Sequence, residues 1–159
     1  MKGYTTNEQS KQLVSVGLDP NTADMCYKEL ISGGKVYANP NEAVLTPYSQ
    51  ALESKQSFER ERAAYKGFNN PNIVYELTPC WSLNALIELF PKDKNAPVFT
   101  LTRCGKDPMT GKHNDEWYAE WETFETYIVL HNENAVDAVV ELIVKLMQDK
   151  RINLNKNEN

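Results

Sequence analysis

Four glutamates recur within a ten-residue stretch of this chain, at Glu116, Glu120, Glu122 and Glu125. Carboxyl groups so placed are the raw material of general acid–base hydrolysis, where one carboxyl gives a proton and another takes one. Cys80 is the best nucleophile in the sequence. It precedes a helix start at Ser82, and a helix N-terminus lowers a thiol pKa; the adjacent Trp81 could shape a pocket. These residues define one functional reading, a small hydrolase using Cys80 or the Glu116 and Glu120 carboxylates. Each has a plainer account. Free cysteine usually only packs, and glutamates alternating along a strand more often form the solvated face of a half-buried sheet. No sequence feature sets His113 or His131 beside Cys80 as a base.

Two other chemistries fail on spacing. Metal binding would have to use Cys26, Cys80, Cys104, His113 and His131. No two of these form the CxxC, HxxxH or HExxH pairs that preorganise ligands, so neither a metal nor a cofactor is expected. Cys104 and His113 could meet across a hairpin base, which gives two ligands at most. The loop GKDPMTGKHN, 105–114, carries Gly105 and then Gly111-Lys112. A phosphate loop needs four residues between its glycines and Ser or Thr after the lysine. Here five intervene, His113 follows, and the loop joins two strands instead of opening a helix, so an ordinary hairpin connection is expected.

The totals set the class. A chain of 159 residues suits one domain, burying roughly 68–70% of its unfolded surface, and 41% hydrophobic residues suffice for a core. The net charge of −5 weighs against direct binding to nucleic acid or anionic membranes, which need a basic surface. No signal-like segment or membrane span is seen. Three widely spaced cysteines, an odd number, read as free thiols in a reducing cytoplasm. The acidic strand face, Glu116, Tyr118, Glu120 and Glu122, is then the candidate protein-binding surface, since aromatics among charges are common at interfaces. The same face could imitate nucleic-acid phosphates and occupy a DNA-binding protein.

These residues must be positioned by elements around one organising stretch, 134–147. Val136, Val139, Val140, Ile143, Val144 and Met147 follow helical spacing, and Ala135, Ala138, Leu142 and Leu146 widen the stripe. Asp137, Glu141 and Lys145 are left as a narrow polar edge, with Glu141 and Lys145 set for an i,i+4 pair. A helix so apolar must be covered on more than one side. Asn134 is its N-cap.

In chain order, 6–17 reads as a helix with a Thr6/Gln9 capping box and a Gly17 stop. The signal over 26–45 is weak: Tyr27 could begin a strand, Gly33-Gly34 a turn, 36–38 another short strand. Thr46-Pro47 opens a charged helix to about Lys66, ended by Gly67. Strands are expected at 73–77, 98–104, 115–122 and 126–131, with a short Ser82-capped helix ended by Pro91 between the first two. In that helix Trp81 could pack across the first turn as a hydrophobic staple does. Trp117, Ala119 and Trp121 should face the final helix. The resulting expectation is a single α+β domain over 1–149, an antiparallel sheet of three or four strands with helices mainly on one face, and a fraying polar tail over 150–159.

The blocks TTNEQSKQLVSVGLDPNTADM, PCWSLNALIELFP and AVDAVVELIVKLMQDKRI resemble small uncharacterised proteins of phages and conjugative elements of Bacteroides-type bacteria. The resemblance implies a setting on mobile DNA in a bacterial cytoplasm and assigns no site residue. The expected function is that of a small accessory protein acting by binding another protein. The hydrolase and the acidic DNA mimic are the alternatives.

Overall fold

The computed structural model describes residues 3–32, 35–36, 43–64, 73–92, 97–105 and 115–152. The helices are α1 (Asn7–Ser15), α2 (Tyr48–Ala64), α3 (Leu83–Glu88) and α4 (Ala135–Gln148), with a 3₁₀ turn at Pro20–Thr22. The strands are β1 (Met25–Ser32), β2 (Lys35–Val36), β3 (Ala43–Val44), β4 (Ile73–Cys80), β5 (Val98–Cys104), β6 (Glu116–Glu122) and β7 (Tyr127–Asn132). Among the described residues no helix is long and apolar enough to cross a membrane.

The α+β class holds, and the strands divide into two antiparallel sheets. In one, β1 pairs along its whole length with β4, and its other edge takes β2 at one end and β3 at the other. In the second, β5, β6 and β7 form a meander. The weak stretch after residue 25 is therefore an eight-residue strand. Its sequence MCYKELIS lacks a clean apolar–polar alternation because both faces of the strand are put to use. Tyr27 is buried on one face and Cys26 on the other, where α2 lies. β4 likewise runs three residues past Leu77, through Pro79 to Cys80. A proline fits there because β4 is an edge strand and needs no amide on its outer side.

Helix α4 is the centre of the molecule. Nine of its residues are buried: Ala135, Val136, Ala138, Val139, Val140, Leu142, Ile143, Val144 and Leu146. It packs on β6 and β7 with one face and on α1 and α3 with others, as its all-round apolar character requires. Its N-cap is Asn134, whose side chain accepts the Val136 amide at 2.8 Å. The polar edge pairs differently from the expected Glu141–Lys145 couple. Gln9 donates to Asp137 at 2.6 Å, Asn132 donates to Glu141 at 3.1 Å, and Lys145 turns to Asp149 at 3.0 Å. Neighbouring elements, not the helix alone, choose these partners.

The ends of α1 follow the sequence closely. Thr6 and Gln9 form the reciprocal capping box, and Gln9 spans α1 and α4 by also reaching Asp137. At the other end Gly17, at φ +98°, hands its amide to Val14 while Leu18 bonds back to Leu13. This is a Schellman stop with both leucines buried in the core. α4 ends with the same bonds, Lys150 to Met147 and Arg151 to Leu146, around a Lys150 at φ 54°. The chain stays packed through Ile152, which lies against the core. In α3, Ser82 caps the Ala85 amide, and Trp81 and Leu86, the two staple positions, are both fully buried in the same core. The expected turn at Gly33-Gly34, the short strand beyond Val36, the Gly67 stop, the loop residues 106–114 and the tail beyond Ile152 lie outside the described residues.

Candidate functional site

Meander pairing decides what the acidic residues face. β6 lies between β5 and β7, and its alternate residues Ala119 and Trp121 are buried against α4. The other set, Glu116, Tyr118, Glu120 and Glu122, points to the open face of the sheet. Cross-strand register extends that face into rows: Val98–Glu122–Tyr127, Thr100–Glu120–Val129 and Thr102–Tyr118–His131, with Cys104 opposite Glu116. The four residues singled out in the sequence thus share one surface, flanked by apolar and aromatic groups from both neighbouring strands. Val98, Tyr127 and Val129 are exposed.

The face is internally organised. His131 Nδ1 lies 3.1 Å from a Glu116 carboxylate oxygen, and its ring stacks on Tyr118 with centroids 5.6 Å apart. The Tyr127 hydroxyl donates to Glu120 at 3.1 Å, and this bond holds the phenol pKa above its ordinary value. Two of the carboxylates are therefore engaged within the face itself, interleaved with apolar side chains. Such a mixture suits a protein interface better than a row of bare charges imitating phosphates.

One residue of this surface gave no sequence signal. Phe124 sits at the turn between β6 and β7 with its ring wholly exposed (106%). The turn is braced: the Thr123 amide donates to the Thr126 carbonyl at 2.8 Å, the Thr123 hydroxyl accepts the amides of Glu125 and Thr126, and Arg151 reaches the Thr126 hydroxyl at 2.7 Å. A lone aromatic between polar residues in a turn has no periodicity to mark it. Its position follows only from the hairpin register.

The hydrolase candidates fare differently. Glu116 and Glu120 stand on an open sheet face instead of in a cleft that could exclude water. Cys80 is the last residue of β4 and is completely buried. Its thiol meets the Thr5 carbonyl at 3.5 Å and the Thr5 hydroxyl at 3.6 Å. Thr5 also hydrogen-bonds Ser10 at 2.8 Å and accepts the Tyr27 hydroxyl on its carbonyl at 2.6 Å. Burial raises the Cys80 pKa, outweighing the hydrogen bonds from Thr5 and Tyr27 that act the other way. The lowering expected of a helix N-terminus is not seen: the thiol is held against Thr5, and burial sets the direction of its shift. Cys80 is a packing residue that helps dock the N-terminal segment.

The three cysteines are free, and their environments predict a thiol count. With an aromatic disulfide reagent at pH 8, one thiol should react promptly, Cys104, which is partly exposed. Cys26 and Cys80, at 2% and 0% exposure, should react only after denaturation. Cys104→Ser should remove the fast phase; its loss in Cys80→Ala instead would contradict this assignment. Among the described residues no group of three or more metal-ligating side chains converges. His113 lies outside the described residues.

In comparisons with known proteins, no family model, no curated protein and no solved structure matches the chain.

Proposed function

We propose that this protein acts by binding another protein through the open face of the β5-β6-β7 sheet, as an accessory factor in the mobile-element setting that its sequence resemblance implies. The observation that carries the reading is Phe124, a fully exposed ring on a braced turn. It stands at the end of a face that holds exposed Val98, Tyr127 and Val129 among Glu116, Glu120 and Glu122. Burying a phenylalanine contributes roughly 1.5–3 kcal/mol, and a rigid turn loses little entropy when it is buried. The carboxylates choose the partner: a protein surface with an apolar recess rimmed by Lys or Arg.

The test compares capture from a bacterial lysate by the wild-type chain and three variants, at low and moderate salt. Phe124→Ser should weaken a captured partner by about 30-fold, the effect of losing a hot-spot residue worth about 2 kcal/mol. Glu116→Gln/Glu120→Gln/Glu122→Gln should weaken it too, most at low salt, where charge attraction is least screened. Glu141→Gln, on the α4 edge, should leave it unchanged. A partner that both face variants hold as tightly as wild type would remove this face from the function.

A further inference from the structure

A second site lies on the other sheet, where α2 packs over β4 and β1. Along α2, Ala51, Ser54, Lys55 and Phe58 fall at the i, i+3, i+4, i+7 spacing of one face, and all four line a cavity of about 270 Å³. A helix packed directly on a sheet would place branched apolar side chains at these positions; two small residues leave a gap instead. Val44 and Leu77 complete the apolar wall from the sheet side. Val44 and Phe58 are exposed at 44% and 40%, so the cavity opens to solvent between them.

The charge in the cavity runs against that of the whole molecule. Among the described residues its lining carries the cations Lys28 and Lys55, in a chain of net charge −5. The Lys55 side chain is 29% exposed, and its contact with Glu59 is long, at 3.9 Å. Thr46 and Ser54 add polar side chains to the same lining, the Ser54 hydroxyl donating to the Gln50 carbonyl at 3.0 Å. Cys26 reports the local field: burial raises its pKa, and the charge of Lys28 pulls it down.

The geometry points to a binding site for a small amphipathic anion, a monocarboxylate with an apolar body, held with its head between Lys28 and Lys55 and its tail against Val44, Ala51 and Leu77. The volume equals that of about nine waters at roughly 30 Å³ each, which fits an acid of about ten non-hydrogen atoms. Apolar walls with a few converging polar groups are the usual construction of small-molecule sites. The carboxylate gains charge-assisted hydrogen bonds in a partly desolvated setting. The site is separate from the meander face, and the two readings stand or fall independently.

The experiment titrates the full chain with octanoate, 1-octanol and octylamine, following the backbone amide resonances of Ala51, Ser54 and Leu77. Octanoate should shift these signals saturably and bind at least tenfold tighter than octanol, with octylamine weakest. Lys28→Gln/Lys55→Gln should weaken octanoate about tenfold or more and bring it level with octanol. Ala51→Leu, which fills the cavity from the helix side, should abolish the saturable shifts while the α4 resonances stay in place. Octylamine binding as tightly as octanoate, octanoate shifts that survive Ala51→Leu, or no saturable shift with octanoate up to the millimolar range would each overturn the proposal.

Discussion

Trp81→Ala is expected to destabilise the protein by about 3–5 kcal/mol, the range for truncating a large buried aromatic. Trp81 is fully buried in the core that joins α1, α3 and α4. Its backbone exchanges hydrogen bonds with Thr5: the Trp81 amide donates to the Thr5 hydroxyl at 3.0 Å, and the Thr5 amide donates to the Trp81 carbonyl at 2.9 Å. The indole N–H donates to the Thr22 hydroxyl at 2.9 Å. The side chain thus fills the space among the 3₁₀ turn, α3 and the central helix, while its backbone anchors the N-terminal segment. Truncation leaves a cavity too deep in the packed layers to collapse. The lost hydrogen bond adds little, because the Thr22 hydroxyl is only part-buried and still donates to the Asp19 carbonyl. For a chain of this length each kcal/mol lowers the melting temperature by roughly 2–4 °C, so calorimetry should record a fall of about 10 °C. Trp81→Phe keeps most of the volume and should cost about 1–2 kcal/mol, of which the lost hydrogen bond is the smaller part. Equal losses in the two variants would mean that the indole N–H, not the filled volume, holds this junction.

The contrast between α4 and β1 shows what the sequence can carry. In α4, identity and spacing repeat one message over fourteen residues, and every cap needed to start the helix is local. Burial then follows from pattern alone, as does the need for cover on several sides. β6 is legible for the same reason, since Trp117, Ala119 and Trp121 alternate against glutamates and Tyr118. β1 is not, because what makes it a strand is pairing with β4 across forty intervening residues, and its own Lys28, Glu29 and Leu30 favour a helix as readily. The division into two sheets is likewise a long-range result, set by α4 and α1 lying between them. The acidic half of the meander face was visible as alternation. The rest of that face was not: Phe124 required the hairpin register, and the pairing of Glu116 with His131 required knowing which strands are neighbours. The α2 cavity is harder still. Ala51 and Ser54 are unremarkable on a helix until a sheet is placed against them.

Stability is expected to be flat near neutrality and to fall steeply above about pH 8.5. Three buried groups carry this: Cys26, Cys80 and Tyr27, at 2%, 0% and 1% exposure. Burial is the leading cause of a raised pKa at each. At Tyr27 the neighbouring Cys80 adds to it, while at Cys26 the charge of Lys28 partly offsets it. The sign follows from which state releases its protons first. The unfolded chain ionises its thiols near pH 8.5 and its phenols near pH 10, the ordinary values. The folded chain holds these protons to higher pH, so the unfolded state binds fewer protons and stability declines as pH rises. The contribution is fully present below the ordinary pKa values and is lost progressively toward the raised ones. Each group adds a slope approaching 1.4 kcal/mol per pH unit, so the two thiols give about 2.7 and all three about 4 once the phenol is included. Against a typical total of about 5–15 kcal/mol, such a slope makes alkali strongly destabilising. Denaturant midpoints from pH 7 to 11 measure this. Cys80→Ala should reduce the alkaline slope by about half between pH 8.5 and 10 and by about a third above that, while costing some stability at pH 7. Tyr27→Phe should leave the slope near its wild-type value below about pH 10 and lower it by about a third above, because both thiols stay buried and the Thr5 carbonyl keeps its bond from Cys80. A wild-type midpoint constant to pH 10 would mean that the folded protein ionises these thiols as readily as the open chain. The Thr5–Cys80–Tyr27 cluster would then be wet, and the N-terminal segment could not be the tight cover that its hydrogen bonds describe.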